Sequence, residues 1–464
     1  MKRIFRVLTM AASLVGFTTT AADAQQTKRV GDLPQSASPA MPGESMTRSI
    51  GDQMYAPQAA VAAVQPAGHR SPLKRLRSRT GYDACNDCYS SSCGGGCRPQ
   101  RGGSRGGLSG GSCDPDTWLR AELLLWFPQS RTSPLLAGTN AQPGGLPVVG
   151  QPGFTPQFGG RTSSGMETGF RADVGKYFAD GQLGLGARLW FLSDATEGYS
   201  ASSDGTVSLG VPFFDTAFGA EGGLLVGFDP NVGGGTVLNG TLDIATELSI
   251  AASEFYGRLA VLDCQDYRVD FLGGYSYFNI EDDLALNVST VRVANPADGL
   301  TRNFQDRFST TNNFHGGQIG FENVVRRGRF SMRTLTKVHL GNMRQRVAIN
   351  GASQRFFAGN PNVERFNGGI FAQDNQGVQR RNVFAFAPEA NVKLNYRMRN
   401  YVTFSLGYSF IYWNRVALAG DQIDRNVDPT GLLTDAATVA SPARKFEDRG
   451  FFVQGIDLGV SIDY

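Results

Sequence analysis

The sequence predicts an all-β fold: an up-and-down antiparallel transmembrane β-barrel of about ten strands that follows a disordered N-terminal arm. The final stretch alternates Ile456, Leu458, Val460 and Ile462 with small or polar residues and ends on Tyr464. Such a strand, apolar on one face and closed by an aromatic residue, is typical of the C-terminal strand of an outer-membrane barrel. Two further observations agree: many segments share this period of two, and their connections alternate between short and long.

Ten segments carry the period-two pattern that places alternate side chains on opposite faces of a strand. They are 116–126, 165–178, 183–194, 242–262, 266–280, 313–325, 329–342, 382–397, 400–416 and 450–464. Tight turns are predicted at 179–182, 263–265, 326–328 and 398–399, and the other five joins are predicted to be long loops, notably 199–240 and 342–381. An even number of strands places both ends of the barrel on the tight-turn side, which is the periplasm.

The first residues predict a secretory signal peptide, residues 1–24. Lys2, Arg3 and Arg6 precede a short apolar core, and Ala22-Asp23-Ala24 forms an Ala-x-Ala cleavage site. A mitochondrial presequence fits less well, because the apolar core is uninterrupted. The expected destination is therefore the cell envelope, with the barrel, residues 116–464, in the outer membrane.

Residues 25–115 lack apolar periodicity and are rich in Pro, Ala, Ser, Gly and Arg, which predicts a disordered periplasmic arm. Its basic run, residues 70–79, is either a solvated linker or a contact for peptidoglycan or anionic lipid. The arm also holds five cysteines, for which disulfides are a better expectation than zinc in an exported protein. These candidate disulfide residues are Cys85, Cys88, Cys93, Cys97 and Cys113, and Cys264 lies apart in the strand region.

Composition argues against several functions. The 464 residues include 44 basic and 41 acidic side chains, a balance that predicts no nucleic-acid partner. Only 3 residues are histidines, and the strand region, residues 116–464, contains neither a GxSxG elbow nor a metal-ligand cluster, so no enzyme activity, metal or cofactor is predicted. His315 is interpreted as a polar residue of a strand or rim.

The strand pattern separates two faces. Apolar and aromatic residues such as Phe404, Leu406 and Tyr408 are predicted to face lipid, whereas charged residues fall on the opposite parity and face the lumen. The candidate lumen-lining residues are Arg120, Glu122, Glu167, Arg171, Asp173, Arg188, Arg258, Arg268, Asp270, Arg333, Lys337, Glu389 and Lys393, with Glu254 and Asp457 of the same parity. They form either the wall of a wet pore or a plug of paired charges, since barrels of about eight strands are filled by their own side chains.

Several segments resemble the planctomycete family of outer-membrane, porin-like β-barrel proteins, whose specific function is unknown. The similar segments are 118–126, 134–136, 306–308, 313–320, 407–416, 420–425 and 452–455. Leu418-Ala419 stands where the family pattern has Arg-Pro. The resemblance implies a barrel in contact with outer-membrane lipid, and it leaves the oligomeric state open.

The leading interpretation is a porin-like barrel for passive diffusion of small hydrophilic solutes, and the alternative is a structural envelope anchor or surface-binding, adhesin-like barrel with a filled lumen. The segment 420–425 is expected either to order an extracellular loop through its aspartates or to bind a cation through Asp421 and Asp424, and loop ordering is the simpler expectation because Asp side chains readily bond nearby backbone.

Overall fold

The computed structural model describes residues 117–163, 165–179, 181–230, 235–264, 266–294, 296–399, 401–434 and 441–463. The signal peptide, the arm with its five cysteines, and Tyr464 lie outside this part of the chain. Two short 3₁₀ turns occur within it, Ala419–Gln422 and Pro429–Gly431, and no helix there is long and apolar enough to cross a membrane.

The rest of the ordered structure is β. In chain order the strands are β1 (Thr117–Pro128), β2 (Arg131–Asn140), β3 (Phe154–Thr162), β4 (Glu167–Phe178), β5 (Leu183–Leu192), β6 (Ala195–Ser203), β7 (Ser208–Asp215), β8 (Ala220–Gly227), β9 (Val237–Asp263), β10 (Tyr267–Ala294), β11 (Thr301–Arg327), β12 (Phe330–Phe356), β13 (Glu364–Asn367), β14 (Gly377–Arg399), β15 (Val402–Val416), β16 (Asn426–Val427) and β17 (Arg449–Asp463).

Ten of these strands form one closed antiparallel barrel, in the order β1, β4, β5, β9, β10, β11, β12, β14, β15, β17. The ring closes where β17 returns to β1, with Leu123 opposite Leu458. Strand β6 continues the line of β5 and pairs with the outer half of β9. The predicted all-β barrel is confirmed, and each of the ten predicted segments corresponds to one barrel strand.

Tight turns join β4 to β5, β9 to β10, β11 to β12 and β14 to β15, all at the same end of the barrel. Gly181 and Gly328 occupy two of them with φ values of 87° and 60°. A backbone in this left-handed region carries little strain only for glycine, so these residues permit the reversal.

The outward face of the barrel carries an apolar band. Phe404, Leu406 and Tyr408 on β15 are 47%, 54% and 49% exposed, and every other barrel strand shows similar residues at alternate positions. On β12 the band runs from Phe330 to Leu340. Ten residues at about 3.3 Å each and a tilt of about 40° span roughly 25 Å along the barrel axis, which matches the lipid-facing band of outer-membrane barrels.

Four strands continue well beyond this band. Strands β9 to β12 stay paired far past the lipid-facing residues, and their outward face becomes polar, with Asn279, Glu281 and Asp283 on β10. Their inward face remains apolar, with Leu284 and Leu286 buried. The prediction of a long loop between residues 280 and 313 was therefore wrong. Residues in this region still alternate between apolar and polar, but the polar side chains face the water outside the barrel and not the lumen.

A second sheet lies over the long-strand end. Strand β7 pairs with β2, β8 and β16, and β2 pairs with β3. The predicted loop 199–240 contains β7 and β8, and the predicted loop 342–381 contains β13 and the continuations of β12 and β14. We call this second sheet, together with residues 368–376 and 417–434, the cap.

Candidate functional site

Nearest the tight turns, the lumen is filled by a layer of charged side chains. Alternate residues of each strand point into the lumen, and those of neighbouring strands lie at the same height. The layer therefore contains side chains from strands all around the ring. It holds six buried cations, Arg120, Arg171, Arg188, Arg258, Lys337 and Lys393, and seven buried carboxylates, Glu122, Asp173, Glu254, Asp270, Glu322, Glu389 and Asp457. The near balance of the two signs allows the charges to be paired without water.

On one side of this charged layer, Arg171 joins two carboxylates. Its Nε donates to Oε2 of Glu122 at 2.5 Å, and its Nη2 donates to Oδ2 of Asp457 at 2.5 Å. Lys393 also contacts Glu122. Asp457 receives a further 2.8 Å hydrogen bond from Nδ2 of Asn391. Each buried charge on this side therefore has several partners from different strands.

On the other side, Glu389 connects Arg188, Lys337 and His339. Its Oε2 lies 2.9 Å from Nζ of Lys337 and 3.2 Å from Nε2 of His339, and its Oε1 lies 3.3 Å from Nη1 of Arg188. Arg188 also donates from Nε to Asp173 at 3.0 Å. This part of the layer thus ties β4, β5, β12 and β14 together across the lumen.

Little space remains among these side chains. The cavity lined by Arg120, Glu122, Arg171, Asp173 and their neighbours has a volume of about 10 Å³. Holding even one water takes roughly 10–15 Å³. This cavity in the charged layer therefore has room for about one water molecule.

An aromatic layer lies directly above the charged one. The side chains of Trp126, Trp190, Phe278, Phe314, Trp413 and Phe451 are all at most 2% exposed. Phe278 is central, with its ring centroid 5.5 Å from those of Phe314 and Trp413. The two layers are joined where Nε1 of Trp126 donates to Asp457 at 2.8 Å and where His339 meets the Phe278 ring edge-on at 4.9 Å.

The cap forms a third layer, inside the long ends of β9 to β12. Cap residues Leu136, Leu209, Val211, Ile370, Phe371 and Ile423 pack in one buried apolar cluster with Leu242, Leu284, Phe304, Phe308 and Val347 of the barrel. Arg131, the first residue of β2, forms a buried 2.5 Å ion pair with Asp282, which also accepts a 2.8 Å bond from the backbone N–H of Ala419. The cap is therefore an integral part of the hydrophobic core.

Asp306 fixes one edge of the cap. Its buried carboxylate accepts backbone N–H bonds from Ile370, Phe371 and Ala372, at 3.0–3.1 Å. The residue lies in the part of β11 beyond the apolar band. Burial raises the pKa of Asp306 to about 6, although these N–H donors act in the opposite direction.

The segment 420–425 orders the cap through its side chains. Asp421 contacts Arg449, and Oδ2 of Asp424 accepts a 2.9 Å bond from the backbone N–H of Ala443. Gln422 donates to the carbonyls of Leu418 and Glu447 at 3.0 and 2.8 Å. Of the two roles predicted for this segment, these contacts are those of loop ordering.

Most of the predicted lumen residues lie in the charged layer, but three do not. Arg268 and Arg333 lie at the tight-turn rim and are only partly buried, and Glu167 lies at the end of β4, where it accepts a bond from Ser193. The prediction did not include Glu322 and His339, and it did not include the aromatic layer. Glu322 shares the inward parity of its strand, so the alternation alone could have indicated it.

The remaining predicted residues fall elsewhere. His315 faces outward at the rim of the apolar band, where its Nδ1 shares a 2.7 Å hydrogen bond with the hydroxyl of Tyr275. Cys264, in the turn between β9 and β10, forms no disulfide within the part of the chain that the structure describes.

Comparison with solved structures finds membrane barrels at low similarity. The outer membrane protease OmpT of Escherichia coli matches at 9% identity and a TM-score of 0.36, over 75% of this chain and 97% of that one. A FadL homologue of Pseudomonas aeruginosa matches at 9% identity and a TM-score of 0.21, over 75% and 90%. The Pseudomonas putida toluene transporter TodX matches at 8% identity and a TM-score of 0.19, over 75% and 88%. At these scores we draw no conclusion about activity from them.

No curated protein matches the chain. A family model does, over residues 118–464, which is the whole strand region, and its description is "Putative beta barrel porin-7 (BBP7)". With the closed ring of strands and its apolar band, this match identifies a porin-like barrel of the outer membrane, in contact with membrane lipid. The chain belongs to the BBP7 family of β-barrel porins.

Proposed function

We propose that this porin-like barrel is closed to hydrophilic solutes and holds a folded cap at the membrane surface. Of the two functions that the sequence left open, the structural or surface-binding barrel with a filled lumen is the better supported. The observation that carries this proposal is the stacking of three packed layers, charged, aromatic and cap, inside one ring.

The cap offers a place for binding. An open hollow of about 700 Å³ is lined by Arg365, Phe366, Asn367, Gln373, Asp374, Gln376 and Arg444, among others. Ligand sites commonly measure about 300–1,000 Å³. A hollow with two arginines and several amides at the outer end of the barrel supports a surface-binding role better than a transport role.

We also propose that the chain ends are periplasmic and that the cap faces outward. Strand β1 begins and β17 ends on the tight-turn side, and outer-membrane barrels place short turns in the periplasm.

The exported arm, its disulfides, its contact with peptidoglycan and a planctomycete origin stay predictions. The same holds for the expected lack of catalysis: His339 is bound inside the charged network, and His315 faces outward at the membrane rim.

Single-channel conductance of the refolded chain in a planar bilayer tests the closed lumen. We expect no stable open steps from the intact protein. We also expect none from a cap-trimmed variant in which residues 204–236 are replaced by a short Gly-Ser linker, because the charged and aromatic layers remain. Stable steps from the intact protein would refute the proposal. Steps from the trimmed variant alone would show that the cap, and not the lumen layers, closes the barrel.

A further inference from the structure

The outward face just beyond the apolar band carries three neighbouring arginines on β12 and β14. Arg346 lies directly opposite Arg380, and Arg344 lies two residues along β12, opposite Asn382. All three have the outward parity of Leu340 and Phe384, and Arg344 and Arg380 are exposed. We call these three residues the arginine patch.

The arginine patch lacks a protein counter-charge. Among the residues that the structure describes, none of the three makes an ion pair or a side-chain hydrogen bond, whereas other arginines nearby do: Arg307 faces Asp283, and Arg381 pairs with Asp448. Like charges directly opposite each other on adjacent strands destabilise a sheet. An arrangement of this kind indicates that an anion from outside the chain offsets the repulsion.

The height of the patch identifies the anion. Arg344 is four residues beyond Leu340 on β12, and Arg380 is four residues beyond Phe384 on β14, where the apolar band ends. Four residues at about 3.3 Å and a tilt of about 40° place them roughly 10 Å above the band. Polar headgroups occupy this level, and long arginine side chains reach down to it from slightly above.

The surrounding surface agrees with this assignment. The outward carboxylates at the same level, Glu281 and Asp283, lie on β10, on the far side of β11 from the patch. Below the patch, Phe384 is 66% exposed and Leu340 44% exposed, so a lipid seated against them would bring its headgroup to the arginines. Guanidinium groups bind phosphate oxygens in a bidentate manner, which several adjacent arginines reinforce.

We propose that the arginine patch is a binding site for the phosphate of a lipid headgroup in the leaflet next to the long-strand rim. The acyl chains lie against Leu340 and Phe384, and the phosphate bridges Arg344, Arg346 and Arg380. This site goes beyond the closed barrel proposed above and does not depend on it, because the patch lies on the outside of the wall.

The test measures lipid binding to the refolded full chain in neutral detergent micelles, with phosphatidic acid as the probe. Diacylglycerol with the same acyl chains and inorganic phosphate serve as comparisons. We expect the triple variant R344Q/R346Q/R380Q to bind phosphatidic acid at least tenfold more weakly than the natural chain. A matched control, R161Q/R307Q/R355Q, removes three other arginines, all at least partly exposed and outside the patch, and should keep the natural affinity.

Each possible result either supports or overturns the proposed phosphate site. A triple variant with unchanged affinity, or a control that loses as much affinity as the patch variant, would overturn the site. If diacylglycerol binds as tightly as phosphatidic acid, apolar contact alone holds the lipid. If inorganic phosphate binds as tightly as phosphatidic acid, the ligand is a free anion and not a lipid. Either result overturns the proposal. Retained resistance to unfolding in SDS on unheated gels shows that each variant is folded, and conductance is not part of the readout.

Discussion

Replacing Arg171 by methionine should destabilise the barrel strongly, although the new side chain is of similar length and apolar. Arg171 is 4% exposed and binds both Glu122 and Asp457 at 2.5 Å. Its loss leaves two buried carboxylates that share the remaining cation, Lys393. Breaking a buried ion pair from one side costs about 3–5 kcal/mol. We expect the lower end, about 3 kcal/mol in the free energy of unfolding, because Lys393 still neutralises part of the charge.

Two further variants separate charge imbalance from lost packing. R171M/D457N removes one charge of each sign, so it should recover a large part of the loss, since buried pairs replaced on both sides are often nearly neutral. R425M breaks an ion pair at the surface, where Arg425 and Glu221 are 33% and 31% exposed by side chain. Surface pairs contribute about 0–1 kcal/mol, and this control should change little.

Tryptophan fluorescence during urea unfolding in micelles is a suitable assay. The chain has 4 tryptophans, and all of them, Trp118, Trp126, Trp190 and Trp413, are buried inside the barrel. Their emission therefore reports the lumen itself. A loss for R171M no larger than that for R425M would refute the inference that the charged layer is a dry, paired network, and would favour a hydrated lumen in which water replaces the missing partner.

Three further predictions concern the layers above. Trp413→Ala should cost about 3–5 kcal/mol of unfolding free energy in urea titrations, because it leaves a cavity beside Phe278, yet it should not open conductance while the charged layer remains. The pKa of Asp306 is about 6 in the folded protein and about 3.9 in the unfolded chain, so the folded state binds the proton more tightly; cap stability should be greatest below pH 4 and fall by up to about 3 kcal/mol as the pH rises through 6. Hydrogen exchange at residues 370–372 measures this slope, which Asp306→Asn should remove. Gly420→Val places a Cβ about 2.1 Å from the carbonyl oxygen of Thr132, so limited proteolysis should cut the cap sooner while the barrel band survives.

The barrel could be predicted from sequence because lipid imposes a simple rule on it. Every strand in the band must present apolar residues outward, so period-two alternation marks ten strands and their tight turns without any knowledge of contacts. The rule fails beyond the band. Residues 281–294 and 301–312 keep the same alternation, but Asn279 and Glu281 face water and the apolar face is turned inward, so a search for lipid-facing strands passes over them.

The site was harder to predict for a different reason. Charges on the inward parity indicate a polar lumen, but whether the lumen is wet or dry depends on which charges meet across the ring. Glu122 and Lys393 are separated by 271 positions, and Arg171 and Asp457 by 286. Pairing over such distances is decided by ring closure and strand tilt, and no local pattern in the sequence records it.

The segments that resemble the family occupy the closed parts of the molecule. Trp413 lies in the aromatic layer, Asp306 holds residues 370–372, and Gln422 ties the cap to the carbonyl of Glu447. In a diffusion channel, residues of these segments would line an open path. Here the same segments supply side chains that fill the lumen and attach the cap, so features by which the chain resembles its family belong to the filled part of the barrel. Binding at the cap and at the arginine patch is therefore the first activity to test.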